Sequence, residues 1–423
     1  MIRTILIFGM LLIAWTPALP ETSETPPFRV GQIRVYGNEK IRTHILRREI
    51  PFRRGDLFDE EELDEARSRI QKIPGVDYSE VRAAYSPRDS SIVLSIIITE
   101  KSTFNGRPLF RRGYQNKISL GLELWELNFR GRSERLSGSF LLRGNTIVTA
   151  SWENPWIGTG PRVGVGVRLT YEEYKYVYGD LGKALEDASI ERLHAKLRIF
   201  RKLGSRTRIT LSGGIESVRS STPGVTLEPE RDTYPTVAIS FVHDSRDSPT
   251  YPWNGVYFRA KGEEVGPGSE TFSIHEGTAD LRLFKSLAGR GVIAGHGRLR
   301  YRDGDRMPAY RREHIGGAQT LRGYDYGSFH GTRSIVSGIE GRLPLNFSRN
   351  LPIEDVLIGI AFHAFADAAV AWEDNEDLST RNFHGTFGAG VILLAKGASG
   401  LRFDYGWRLD DPGRFEFDIG MKF

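Results

Sequence analysis

The chain contains no cysteine. That excludes a disulfide framework, a thiolate metal site and a lipid-carrying cysteine at a processed N-terminus. Long apolar runs are missing too. Beyond the first 15 residues no stretch reaches the roughly 18 consecutive apolar residues of a spanning helix. The nearest approach, 356–372, is interrupted by His363 and Asp367. With 26% charged residues and a mean hydropathy of −0.35, a helical membrane protein is excluded. A membrane β-barrel is not, because only alternate residues of its strands face lipid and the composition stays average. Blocks of one charge are also lacking. The 58 basic and 53 acidic residues are interspersed, for a net charge of +5, so there is no basic arm for nucleic acid. No G-x-x-x-x-G-K-[ST] run occurs, and Gly164-Val165-Gly166 has no βαβ context, so it is strand alternation rather than a phosphate loop. Nothing in the chain calls for a cofactor.

What is present begins with a short apolar segment, Thr4 to Trp15, after Arg3 and before Thr16, Pro17 and Ala18. Its length and flanks fit a signal peptide over residues 1–20, so the chain is expected to leave the cytoplasm. Residues 21–27 (ETSETPP) read as a linker.

Residues 28–101 follow one grammar. Val30, Ile33 and Val35 predict a strand ending at Gly37-Asn38. Ile41, Ile45, Leu46 and Ile50 have helical spacing up to Pro51. Asp59 is placed to cap a second helix, with Glu62 as its capping-box partner and Leu63, Ala66, Ile70 and Ile73 as its apolar face. Two strands, Val76 to Tyr85 and Ser91 to Thr99, complete a β-α-α-β-β order. The edge of such a sheet offers unpaired backbone groups to which an extended chain can add.

From residue 105 to 423 the period changes to two. About sixteen segments of roughly 9–14 residues are separated by Gly, Pro, Asn and Asp turns. In 415–423, Phe415, Phe417, Ile419, Met421 and Phe423 alternate with Glu416, Asp418, Gly420 and Lys422. In 161–170, Val163, Val165, Val167 and Leu169 alternate with glycine and arginine. One apolar and one polar face suit a strand between lipid and a wet lumen. An even number of antiparallel strands closes without an edge, as lipid demands. The expected fold is therefore mainly β: a 16-stranded antiparallel transmembrane barrel after one small α+β domain. Long connections are expected at Val177 to Ile190, Ser220 to Pro235 and Asp303 to Arg333, and a tight turn at Phe129 to Ser133. His243, Asp244, Asp247, Glu313 and His314 are the groups that acid–base or metal chemistry would draw on. Their positions at strand ends or toward a wet lumen make them lumen polar residues instead, and no enzyme is expected.

The segment HIGGAQTLRGYDYG (314–327) packs four glycines, aromatic and apolar residues and the lone Arg322 into one long connection. It reads as a loop that folds back into the lumen, where a buried arginine needs a carboxylate partner.

These segments together resemble the BamA/TamA superfamily of outer-membrane assembly and secretion barrels. IRVYGN, FRRGDLFDEEELDEARSRIQKIPGV and IVLSIIITEK resemble a POTRA domain, the periplasmic polypeptide-binding module. Leu321, Arg322, Gly323 and Tyr324 match a lumen-loop motif written (V/L)-R-G-(F/Y). Asp244, Arg246, Asp247, Pro252 and Gly255 match a D-x-R-D…P-x-x-G strand–turn–strand signature. FHAFADAAVAW (362–372) matches an F-x-D-x-G strand, with Ala369 in place of the glycine, and Phe415, Phe417, Ile419, Gly420 and Phe423 match the terminal barrel signal. The resemblance implies a salt bridge between Arg322 and Asp367. It implies a bacterial outer-membrane location with the POTRA domain in the periplasm. It also implies action on unfolded outer-membrane or secreted polypeptides, with outer-membrane lipids and accessory periplasmic or lipoprotein partners, as an insertion factor or alternatively a dedicated secretion pore.

Overall fold

The strand Ile190–Leu203 shows how this sequence reaches its fold. Leu193, Leu197 and Ile199 are exposed, while Arg192, His194, Lys196 and Arg198 between them are half-buried. That inverts the pattern of a soluble strand, in which apolar residues are covered. The computed structural model describes residues 28–423 except 113–117, 159–161, 175–176, 179–183, 186–188, 250, 269–272, 289, 346–357, 374–375, 377, 380–381, 396–399, 409–411 and 420–423. The signal peptide and linker expected at 1–27 lie outside the described residues. The chain divides into two compact units.

The first unit carries β1 (Arg29–Tyr36), α2 (Glu60–Gln71), β2 (Val76–Ser86) and β3 (Ser91–Glu100), with the short α1 (Thr43–Arg47) between β1 and α2 in sequence. The sheet order is β1-β3-β2, and β1 runs parallel to β3. Leu94, Ile96 and Ile98 of β3 and Leu63, Ala66 and Ile70 of α2 are all buried. Asp59 caps α2, its carboxylate accepting from Glu61 N–H at 2.8 Å and Glu62 N–H at 3.4 Å. The return half of the expected capping box is missing: Glu62 makes no bond back to Asp59 among the described residues. The first helix is five residues long, not the ten of 41–50. Its apolar spacing is satisfied without further helical turns, because the segment is too short to propagate a helix on its own.

Both edges of this sheet are partly covered. Segment 55–58 bonds to the start of β1, with Val30 N–H donating to Asp56 O at 2.9 Å and Gly55 N–H to Val30 O at 2.8 Å. On β2, the carbonyls of Val81 and Asp77 accept from Arg67 at 3.0 Å and Gln71 at 2.9 Å on α2. Tyr78 and Tyr85 of β2 remain exposed.

In the second unit, sixteen strands among the described residues form one antiparallel sheet from Phe104–Arg112 to Arg414–Ile419. Consecutive strands pair in chain order. The two end strands come within 8 Å of each other at their Cα atoms, which closes the barrel. They share no hydrogen-bonded ladder among the described residues. Leu211, Ile215, Val237, Ile239, Leu281, Ile339 and Phe362 are among the exposed apolar side chains on the outer face. Among the described residues no helix is long and apolar enough to cross a membrane, so any crossing is made by strands.

The expected tight turn lies between Ile118–Phe129 and Glu134–Leu142, with positive φ at Arg130, Gly131 and Ser133. The expected long connection from Ser220 is shorter than the turn residues suggested. Arg231–Asp244 pairs with its neighbour from Arg219↔Arg231 onward, so Pro235 lies inside a strand. It is tolerated because the ladder on the other side ends at Thr236, where the missing proline N–H is not required.

Candidate functional site: a lumen loop clamped by buried charges

The connection between Gly291–Gly304 and Arg333–Leu345 turns back against the inner wall. It begins with a 3-10 turn, Ala309–Arg311, and a short hairpin pairing Glu313–Ile315 with Phe329–Gly331. Between these strands, Thr320 Oγ1 accepts from Gly316 N–H at 2.8 Å and donates to Gly316 O at 2.7 Å. Gly317 N–H donates to Tyr324 O at 2.8 Å. The tip is thus a bonded turn rather than an open loop. Leu321, Tyr324 and Ile315 bury against Val336 and Ala369 of the wall, with Phe329 alongside. Ala369, the departure from the glycine of the family motif, sits in a regular ladder opposite Val336 and contributes its methyl group to this cluster.

Arg322 is fully buried. Its Nε donates to Asp367 Oδ2 at 2.7 Å and its Nη2 to Asp367 Oδ1 at 2.9 Å, a fork matched to a carboxylate. Nη1 donates to Glu340 Oε2 at 2.7 Å and lies 3.6 Å from Asp404 Oδ2. The guanidinium carbon stands 3.4 Å from the centre of the Phe365 ring. Arg402 reaches Asp404 at 2.6 Å, Arg342 reaches Glu340 at 2.7 Å, and His363 Nε2 lies 2.8 Å from Asp404 Oδ1. Three arginines therefore face three carboxylates, with every side chain within 2% exposure. Burial of each ion costs several kcal/mol, and the shared hydrogen bonds offset that cost.

Gly323 follows at φ +87°, where an L side chain is strained, and a Cβ there would lie 3.0 Å from Gly406 O. The tip thus presses its backbone against the strand Leu401–Arg408. Gln319 donates to Asp418, and Arg414 pairs with Asp325, so the loop also touches the last strand. On that strand Phe415 is exposed on the outer face, and Phe417 packs at 5.1 Å from Phe403. Gly420 and Phe423, and the side chain of Ile419, lie outside the described residues.

The strand–turn–strand residues sit apart from this cluster, in the turn between Arg231–Asp244 and Gly255–Val265. Asp244 holds Arg246 through two bonds of 2.9 and 2.8 Å. Asp247 accepts from Trp253 N–H at 3.0 Å and Asn254 N–H at 3.1 Å, which fixes the turn. Gly255, at φ +119°, admits no Cβ, since one would stand 2.5 Å from Ser245 O. Pro252 is buried beside Tyr251. Tyr251 enters an apolar cluster with Val292, Ala361 and Ile392, and Arg342 stands 5.6 Å from its ring. Arg342 thus touches both the turn and the arginine–carboxylate cluster. The groups that could have suggested acid–base chemistry have structural partners: Glu313 lies among Arg298, Arg300 and Arg302 at 2.5–3.4 Å, and His243 Nδ1 is 2.9 Å from Thr207 Oγ1.

Residues 128–423 match the family model described as Omp85 superfamily domain. The chain belongs to the Omp85 superfamily. Residues 28–101 match a POTRA family described as surface antigen variable number repeat. A relative, the outer membrane protein assembly factor BamA of Nitratidesulfovibrio vulgaris, is 22% identical over 93% of this chain. The chain spans about half the length of that curated relative, 51%. Among solved structures, BamA from Haemophilus ducreyi lacking POTRA domains 1–3 superposes with a TM-score of 0.71 at 16% identity, over 93% of this chain and 83% of that one. CdiB from Escherichia coli superposes with a TM-score of 0.65 at 13% identity, over 93% and 76%. The Omp85 barrel lies in an outer membrane, with its POTRA domain in the periplasm.

Within this Omp85 barrel, Arg322 and Asp367 of the sequence motifs come together. Glu340, Arg342, Arg402 and Asp404 were missed. A signal existed: Glu340 and Arg342, like Arg402 and Asp404, are charged pairs at i, i+2 between outward apolar neighbours, the parity of lumen-facing positions. Which strands would meet at Arg322 was not readable.

Proposed function

We propose that this Omp85 protein is an outer-membrane protein assembly factor, which receives unfolded polypeptide at its POTRA domain and inserts it through the barrel. The observation that carries this reading is the junction of Phe104–Arg112 with Arg414–Ile419, where the first and last strands of the sixteen-stranded sheet meet within 8 Å at their Cα atoms. The junction of the first and last strands of a barrel can template an incoming strand by β-augmentation. The loop bears on the same place, since Gln319 and Asp325 reach the last strand. In the POTRA domain, the edge of β2 beyond Val81, flanked by Tyr85, is the proposed entry for extended polypeptide. Clients are unfolded outer-membrane or secreted polypeptides, and outer-membrane lipids and accessory periplasmic or lipoprotein partners complete the setting. No catalytic step is needed, because client folding supplies the driving force.

Depletion in the native cell, followed by heat-modifiability of outer-membrane proteins, tests the proposal. A broad loss of folded barrels is expected. Normal barrels with a single exported polypeptide missing would instead assign the protein as a dedicated secretion pore.

A further inference from the structure

The arginine–carboxylate cluster around Arg322 is balanced, three charges against three. The lumen wall formed by the earlier strands is not. There, one carboxylate repeatedly serves two bases. Glu123 holds Arg107 at 2.8 Å and Arg135 at 3.9 Å. Glu153 holds Arg208 at 2.7 Å and Arg198 at 3.5 Å. Glu263 holds Lys196 at 2.8 Å and also Lys261. These contacts are made inside the barrel. Two strands separate Arg208 from Glu153 in the sheet, and two separate Lys196 from Glu263, so only a chord through the lumen joins them. Arg168, opposite Lys196, and Arg259, opposite Asp280, share that inward face by register. Both are exposed to water and have no ion-pair partner within 4.0 Å among the described residues. Asp280 is matched by Arg282 at 2.8 Å on its own strand, so nine bases against four carboxylates leave a surplus of five positive charges along this strip. Arg298, Arg300 and Arg302 surround Glu313, and Arg302 is shared with Glu276 at 3.4 Å, so this group adds one further base.

We infer that the lumen is an anion-selective path, whose basic strip favours small anions such as chloride over cations. A wall of one sign inside a low-dielectric shell concentrates counter-ions and repels co-ions. Rings of arginine and lysine are the means by which pores select anions. The balanced cluster on the loop side neither adds to this field nor cancels it. The preference belongs to the barrel wall and holds whether the protein inserts clients or secretes them.

The test is single-channel recording of the full chain in planar bilayers under a potassium chloride gradient. At about 0.1 M salt the chloride-to-potassium permeability ratio should stand several-fold above one. It should fall toward one near 1 M, as the screening length drops from about 10 to about 3 Å. The double variant Arg168→Glu/Arg259→Glu changes the strip by four charges, from a surplus of five to one, and should lose most of the preference. Neither side chain has an ion pair to break, and heat-modifiability reports whether the variant folds. If it does not fold, the salt series on the unaltered protein decides alone. A ratio at or below one, a ratio indifferent to salt or to the double variant, or no conductance would overturn the inference.

Discussion

Replacing Arg322 by alanine removes one cation from a cluster of three arginines and three carboxylates. Asp367 loses both bonds of its fork, Glu340 loses one of its two 2.7 Å partners and keeps Arg342, and the Phe365 face loses the guanidinium stacked on it. Arg322 is wholly buried, so water does not screen the change. Breaking a buried pair from one side costs about 3–5 kcal/mol, because the remaining charge stays uncompensated. Asp367→Ala should cost a similar amount with the opposite imbalance. The double variant Arg322→Ala/Asp367→Ala leaves two arginines facing two carboxylates, so it should be less destabilised than the sum of the single variants. The coupling should lie toward the upper end of the roughly 0.5–3 kcal/mol seen for interacting neighbours. Urea unfolding of the protein in lipid vesicles, followed by tryptophan fluorescence and by loss of the heat-modifiable band, measures each corner of this cycle. Additivity within about 0.5 kcal/mol, or a single variant within about 1 kcal/mol of the parent, would refute the reasoning. The loop would then be held by its apolar contacts rather than by the charges. Arg322→Lys serves as the finer probe. It keeps the charge but loses the fork, and should fall between the parent and alanine.

Other perturbations follow from the geometry. Gly323→Val should loosen the loop by about 1–3 kcal/mol through backbone strain at φ +87° and contact with Gly406, read as protease cleavage within 316–327 of the folded protein. Ile239→Arg, on the lipid-facing side of its strand, should cost about 2–4 kcal/mol if the residue lies near the bilayer midplane, measured by the same urea titration. Asp59→Ala removes the cap of α2 and should destabilise the POTRA domain by about 0.5–2 kcal/mol, seen as faster proteolysis of residues 28–101 in the full chain. Asp247→Ala frees the N–H groups of Trp253 and Asn254 and should weaken the barrel by about 1–3 kcal/mol, by heat-modifiability.

Much of this was legible in one dimension. A strand has an exact period of two, so Leu193, Leu197 and Ile199 could be assigned to one face and Arg192, Lys196 and Arg198 to the other without knowing any partner strand. Capping chemistry is equally local, and Asp59 sits where its sequence context put it. The short first helix and the inclusion of Pro235 in a strand were less readable. Both depend on which ladder lies beside a segment, and turn-forming residues do not report that.

The candidate site divides along the same line. The resemblance to a family nominated Arg322 and Asp367, two residues 45 positions apart. The remaining members of the cluster come from two strands, Arg333–Leu345 and Leu401–Arg408, whose meeting point depends on register, and register is set by closure of the whole sheet. The same holds for the basic strip: Arg208 and Glu153 stand 55 residues apart and meet only because the barrel bends their strands toward a common interior. The sequence by itself determined which side chains face inward, because alternation is a property of each strand alone. Only the tertiary structure decided which of those charges balance one another and which are left in surplus, because pairing across a lumen depends on curvature and register that no single strand encodes.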